Sequence, residues 1–280
     1  MQRWKIILKK VMLVTLSVAG VIAFFVLLTS AAEKQKTLPC NGVLVHIDYE
    51  SGLAFMNEKE VIDKIQFVCK DSVQKLKAFN LNIQNIETAL KQMPYVDSAE
   101  VFLNQKQVLN VAIKQKRPII RIINNNGVSY YLSDKNQVMP LCSNFTARVP
   151  IALGEVMSNG FEKRDSMVQQ GLFKLTTTLN KDTFLSALID QFIVDSNGEV
   201  TLIPLSGEHT VLFGFAQQNT QEKLKRLNIF YKEILPRVGW NVYEKLNVKF
   251  DNQMVCVKKE LKPVIATDSV VAVVGAIKKN

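Results

Sequence analysis

Between Ile83 and Ile123 the chain switches from helical to strand spacing and back through a turn, which leaves few ways to fold it. Ile83, Ile86 and Leu90 fall on one face of a short helix that stops at Met93-Pro94. From Ala99 the period becomes two, with Ala99, Val101 and Leu103 opposite Glu100, Phe102 and Asn104. The turn Asn104–Gln107 leads into a second alternating run, Leu109, Val111 and Ile113 opposite Asn110, Ala112 and Lys114. Lys116-Arg117-Pro118 closes it. A helix feeding a hairpin is a module that packs helices on one face of a sheet. No residue set in it suggests turnover, so it points to binding.

Upstream, Val43–Ile47 is rich in β-branched residues and reads as a strand. Asn57 and Glu60 have the spacing of a capping box, and the helix they open carries Val61, Ile62, Ile65 and Val68 on one side. The segment from Lys70 to Leu81 reads as a basic, polar loop. The order from Val43 is therefore strand, helix, helix, strand, strand, a compact α+β arrangement.

Pro118 marks a boundary, because proline fixes its own φ and pushes Arg117 toward an extended conformation. Beyond it the pattern turns mostly β. Strands are predicted over Ile119–Ile123, Val128–Leu132, Gln137–Leu141, Ile189–Asp195, Val200–Pro204 and Thr210–Phe215. Asn126-Gly127 and Asn197-Gly198 are hairpin turns, since both residue types tolerate positive φ. Helices are predicted over Asp165–Leu179 and Thr220–Leu235. The second places Leu224, Leu227, Tyr231 and Ile234 on its apolar face and Lys223, Lys225 and Arg226 on its wet face. A closing hairpin joins Val248–Phe250 to Met254–Val257 through Asp251-Asn252-Gln253. Its free edge would present Phe250, Met254 and Cys256 on one face, ready to accept a partner's strand. Lys249, Lys258 and Lys259 are the charges that commonly guard such an edge against unwanted pairing.

The N-terminus sets the compartment. Val11 to Leu28 is eighteen residues without a charge. Spanning a hydrocarbon core takes about 20 apolar residues, so residues 11–30 are predicted to be a transmembrane helix. Arg3, Lys5, Lys9 and Lys10 precede it, and a weaker, mixed cluster of Glu33, Lys34 and Lys36 follows. Lys and Arg favour the cytoplasmic side, which puts the N-terminus inside and the bulk outside. Cleavage at Ser30-Ala31-Ala32 is the rival reading, but the apolar run is longer than the core of a signal peptide.

The net charge of +10 is spread over the leader, the 220s and the C-terminus rather than gathered into one stripe with interleaved aromatics. That pattern argues for a solvated basic surface near anionic lipid, not for nucleic-acid binding. Cys40, Cys69, Cys142 and Cys256 form no Cys-x-x-Cys pair, so zinc and dithiol redox chemistry lack support. Disulfides and buried free thiols both remain open, and Cys40 can reach Cys69 if the first strand packs beside the first helix. His46 is expected to be half-buried in a strand and His209 to lie in a turn. Neither belongs to a metal or nucleophile motif. No enzymatic activity, no cofactor and no metal are expected.

The layout resembles the bacterial FtsQ/DivIB cell-division family. The residues that carry the likeness begin at Ile86-Glu87 and Leu90 and run through Met93-Pro94-Tyr95-Val96-Asp97-Ser98-Ala99-Glu100-Val101. Leu109–Ile113, Arg117-Pro118-Ile119, Gly127, Tyr131-Leu132, Asp134 and Val138 follow. Phe184, Ile189-Asp190, Leu202, Gly207, Gly214, Lys223-Leu224 and Leu227 complete it. Two departures fall on surface positions: Lys116 precedes Arg117-Pro118 where the family commonly has glutamate, and Asn104–Gln107 replaces a basic-x-proline turn.

The resemblance implies an α+β chain with this order: cytoplasmic tail 1–10, single transmembrane anchor 11–30, linker 31–39, POTRA domain (β-α-α-β-β) 40–116, mostly antiparallel β domain with flanking helices 117–258, and C-terminal tail 259–280. Arg117-Pro118 becomes the domain junction. The implied function is a non-enzymatic, single-pass scaffold of the inner membrane at the division septum. It would link FtsB- and FtsL-like bitopic partners through the last strand, here Phe250, Asn252, Met254, Val255 and Cys256. The alternative is a POTRA-containing protein of outer-membrane assembly or secretion.

Overall fold

The computed structural model describes residues 12–13, 15–26, 39–49, 52–70, 81–156 and 163–260. They fall into two compact units, one running to Ile151 and one from Ala152.

The N-terminal residues 15–26 are helical, with Leu16, Val21, Phe24 and Phe25 all more than half exposed. Among the described residues, no helix is long and apolar enough to cross a membrane. The transmembrane helix predicted over 11–30 is thus not found among them, because both of its ends lie outside the described residues. So do the flanks Arg3, Lys5, Lys9 and Lys10, the 71–80 loop, and the tail from residue 261.

The first unit begins with β1 (Gly42–Asp48), α1 (Glu58–Cys69), α2 (Ile83–Lys91), β2 (Val96–Leu103) and β3 (Val108–Gln115). The sheet order is β1-β3-β2, with β1 parallel and β2 antiparallel to the central strand. The capping box forms as a reciprocal pair: Asn57 Oδ1 accepts the Glu60 N–H at 3.0 Å and Asn57 Nδ2 donates to Glu60 Oε1 at 2.9 Å. Lys70 ends α1 in the left-handed region at φ 58°. Val61 and Ile65 of α1 and Ile86 and Leu90 of α2 pack on Val45, Ile47, Val101, Leu109, Val111 and Ile113. Each such side chain contributes about 1.5–3 kcal/mol by leaving water.

A meander follows: β4 (Pro118–Asn124), β5 (Ser129–Ser133) and β6 (Val138–Pro140), each antiparallel to the next. It does not hang free of the first sheet. Phe55, Tyr131, Met139 and Ala147 form a shared second core, with Tyr95 and Phe145 against it. Phe55 stacks on Tyr95 at 5.3 Å and meets Tyr131 and Phe145 edge-on at 5.9 and 4.8 Å. Across the same contact, Lys135 pairs with Asp97 at 2.5 Å and Tyr95 Oη donates to the Leu141 carbonyl at 2.9 Å. The chain on both sides of Arg117-Pro118 therefore belongs to one compact unit.

The second unit holds β7 (Ile151–Gly154, which starts at the boundary), α3 (Lys163–Leu179), α4 (Thr183–Leu188), β8 (Ile189–Val194), β9 (Val200–Pro204) and β10 (Thr210–Gly214). It continues through α5 (Thr220–Ile229), a π-helical turn (Phe230–Ile234), α6 (Leu235–Val238), β11 (Tyr243–Asn247) and β12 (Val255–Lys258). Within it the strands are ordered β12-β11-β10-β9-β8-β7. Only β10–β11 is parallel among its registered pairs. Gly154 permits a close approach: at φ +115° a Cβ there would lie 2.1 Å from the Val194 carbonyl oxygen.

Three readings of the sequence are corrected here. The Thr220–Leu235 helix is not continuous. Pro236 lacks the N–H that an α-helix would give to the Lys232 carbonyl, and the backbone widens into the π turn just before it. The widening re-phases the side chains, so Tyr231 and Leu235 are buried while Ile234 is exposed. Lys223 is also not on a wet face. It is 3% exposed, with Nζ donating to the Phe213 and Phe215 carbonyls at 3.0 and 3.3 Å. Both histidines differ in burial: His46 lies in β1 as expected but is exposed, and His209 is 2% exposed in the core.

Candidate partner-binding edge

The second unit ends its sheet on β12. This strand runs antiparallel to β11, with Lys258 opposite Tyr243, Val257 opposite Lys245, Cys256 opposite Leu246 and Val255 opposite Asn247. Among the described residues β12 is the terminal strand, and on one side of its backbone none of them forms a neighbouring strand. The Lys259 N–H donates to the Val242 carbonyl at 2.9 Å. Alternation along a strand then turns the N–H groups of Cys256 and Lys258 toward the open side.

The turn before β12 is held from the helix side. Arg226 on α5 donates to the Val248 carbonyl at 3.3 Å, to Phe250 at 2.6 Å and to Gln253. Asn219 Nδ2 donates to Asp251 Oδ1 at 2.8 Å, and the Val248 N–H is taken by the Leu212 carbonyl at 3.1 Å. Lys249 pairs with Glu199, and Lys259 with Glu208. The Lys259 ammonium draws the Glu208 carboxyl below its ordinary range.

Below the strand lies a shallow groove of about 320 Å³, lined by Ile229, Phe230, Ile234, Tyr243, Met254 and Cys256, with Arg226 at its rim. Met254 and Cys256 thus face the groove. Val255 and Val257 are exposed, at 43% and 45%, as period two dictates for their opposite orientation. Burial pushes the Cys256 thiol up, which keeps it protonated and apolar.

Beneath β10 and β11, His209 Nε2 lies 2.8 Å from Tyr231 Oη, and Tyr231 stacks on Trp240 at 5.8 Å. Burial lowers the His209 pKa, and the Trp240 carbonyl pulls it the other way. Burial likewise raises that of Tyr231. A neutral imidazole accepting the tyrosine proton suits that environment. The turn before β10 needs Gly207, where a Cβ would come within 2.6 Å of the His209 ring.

Of the predicted binding residues, Met254, Val255 and Cys256 lie at the edge as a strand entry and its first two residues. Asn252 occupies the left-handed turn position at φ 58°. Phe250 is 48% exposed but sits in the turn, so it does not share a strand face with Met254 and Cys256. The first arm of the hairpin is Tyr243–Asn247 rather than Val248–Phe250. A bulge between Tyr243 and Lys245 breaks the alternation that would have revealed it. Val257 lies in the strand as expected, whereas sequence reasoning missed Lys258 as a strand residue and Arg226 as the clamp of the turn.

Among the described residues, no group of histidine, cysteine and acidic side chains is placed to hold a metal ion. What the arrangement offers is an unpaired strand over an apolar groove, a geometry for gripping an extended peptide by its backbone.

Two family models match the chain. One described as FtsQ/DivIB, C-terminal related, covers residues 117–257, and one described as POTRA-like domain covers residues 38–114. No curated protein matches it.

Proposed function

The chain belongs to the FtsQ/DivIB family of non-enzymatic cell-division proteins, and from that membership we propose that it is a bitopic scaffold of the division septum. The observation that carries the proposal is the open side of β12, backed by the groove under Met254 and Cys256. On this reading, a bitopic partner of the FtsB or FtsL kind adds a strand along Val255–Lys258. Backbone hydrogen bonds supply affinity, and alternate side chains of the partner enter the groove or cover Val255 and Val257.

The anchor completes the reading. The apolar residues exposed around the 15–26 helix favour a lipid environment for that segment. The proposed topology is type II in the inner membrane, with the N-terminus cytoplasmic and residues from 39 onward outside the cytoplasm. The family match over residues 117–257 favours this scaffold over a POTRA-containing protein of outer-membrane assembly. A fluorescent fusion tests it directly: it should gather at midcell late in division. Even labelling of the envelope in dividing cells would refute the septal role.

A further inference from the structure

The POTRA-like sheet covers one face with α1 and α2 and, among the described residues, leaves the other bare. On that bare face Leu44, Asn110 and Phe102 stand side by side in one row across β1, β3 and β2. Leu44 is 60% exposed and Phe102 is 53% exposed. Asn110 between them spends its amide on the Val108 carbonyl of its own strand at 2.9 Å. Two large apolar side chains therefore share one row of a solvent face, with no element over them among the described residues.

This row lies at the end of the sheet where the chain arrives from the N-terminus. Asn41 is fastened there, with its N–H on the Gln107 carbonyl at 2.8 Å and its Nδ2 on the Lys106 carbonyl at 2.7 Å. Lys106 is exposed in that turn. The acids of the bare face lie farther along: Glu100 is in the next row, and Asp48 is at the opposite end. The end of the domain at which the chain enters from the N-terminal side thus combines aliphatic, aromatic and basic side chains. That is the composition of a surface that sits among lipid headgroups.

Residues 27–38 separate the apolar helix from Pro39. A chain of that length reaches at most about 40 Å. It holds the domain at an effective millimolar concentration over its own bilayer, where even a weak surface contact is populated.

We propose that Leu44, Phe102 and Lys106 form a lipid-docking end of the POTRA-like domain. This end rests on the anionic headgroups of the membrane that holds the N-terminal helix. The inference depends on the anchor reading and adds a fixed pose for the domain above the bilayer.

The test places a photoreactive benzoylphenylalanine at Phe102 in the full chain, reconstituted into phosphatidylethanolamine vesicles with or without phosphatidylglycerol. The same side chain at Ser98 serves as control, on the same face of β2 but about 13 Å along the strand. Illumination should give lipid adducts at position 102, more with phosphatidylglycerol, and few at position 98. Lys106→Gln should cut the adduct about fivefold, the loss of one headgroup contact, with flotation and melting unchanged. A chain that floats with vesicles but gives no lipid adduct at 102 overturns the docking and leaves the anchor standing. Adducts to protein at 102 overturn it in favour of a protein partner on that face. A chain that does not float overturns the anchor, and the docking with it.

Discussion

Arg226 donates to the Phe250 carbonyl at 2.6 Å, and through this bond α5 fixes the turn that launches the edge strand of the second unit. The same guanidinium serves the Gln253 and Val248 carbonyls. The planar fork divides the work, with Nη1 on the Phe250 and Gln253 carbonyls and Nη2 on that of Val248. Arg226→Ala should destabilise the second unit by about 2 kcal/mol, the value of charged hydrogen bonds lost from a protected site. Amide exchange at Val255–Lys258 should accelerate more than at β8 or β9. Exchange that rises equally in all strands would show that Arg226 supports the unit as a whole rather than the turn.

At the edge itself, side chains can be changed without touching the core. Val255→Asp and Val257→Asp replace exposed groups, so stability should move by no more than about 0.5 kcal/mol. Met254→Asp enters the groove and should cost more, about 1–2 kcal/mol, for burying part of a charge. All three should reduce recovery of bitopic division partners from solubilised membranes at least about tenfold, since each alters a face that a captured strand would cover. Full recovery with both valine substitutions would place the partner elsewhere.

His209 makes the second unit acid-sensitive. Its pKa is lowered by burial, so the folded state holds fewer protons than the unfolded state just below the ordinary value of 6.5. Stability is therefore complete above that pH and declines as pH falls toward the depressed folded value. His209→Gln, which keeps a hydrogen-bond partner for Tyr231, should flatten this decline while lowering the melting temperature at neutral pH. Thermal melts at pH 7.5 and pH 5.5 decide the matter, and parallel losses in both proteins would assign the acid sensitivity to other groups.

The parts of the fold that depend on local period were legible from the residues. Leu109, Val111 and Ile113 alternate without interruption and lie in a regular strand. Asn57 and Glu60 carry their capping chemistry in a four-residue window. What escaped depended on contacts distant in sequence. Lys223 looked wet because three cations crowd its segment, yet its ammonium is fixed by carbonyls of β10 that no helical wheel shows. His209 looked like a turn residue, because its partner Tyr231 lies on the far side of α5. At the edge, Met254, Val255 and Cys256 were readable from β propensity. Tyr243–Asn247 was not, because the bulge after Tyr243 scrambles the pattern that period two relies on.

Gln115 offers a sharper test of how the two halves of the first unit are joined. Its side chain is 4% exposed and makes three bonds: it accepts the Phe55 N–H at 3.0 Å and donates to the Asp48 and Leu53 carbonyls, each at 3.1 Å. These bonds pin the 48–55 segment, and with it Phe55, against the end of β3. Gln115→Leu preserves volume but orphans three backbone groups, and should cost about 3 kcal/mol. Gln115→Glu keeps the acceptor for Phe55 and sets a carboxylate against two carbonyl oxygens. Burial and that repulsion raise the introduced carboxyl's folded pKa above its unfolded value, so the folded state binds protons more tightly. The variant should therefore gain stability relative to wild type as pH falls from 8 toward 5, the reverse of the His209 trend. A Gln115→Glu protein whose deficit stays constant across that range would mean that the carboxyl has swung into solvent, and that Phe55 is held by its aromatic neighbours alone.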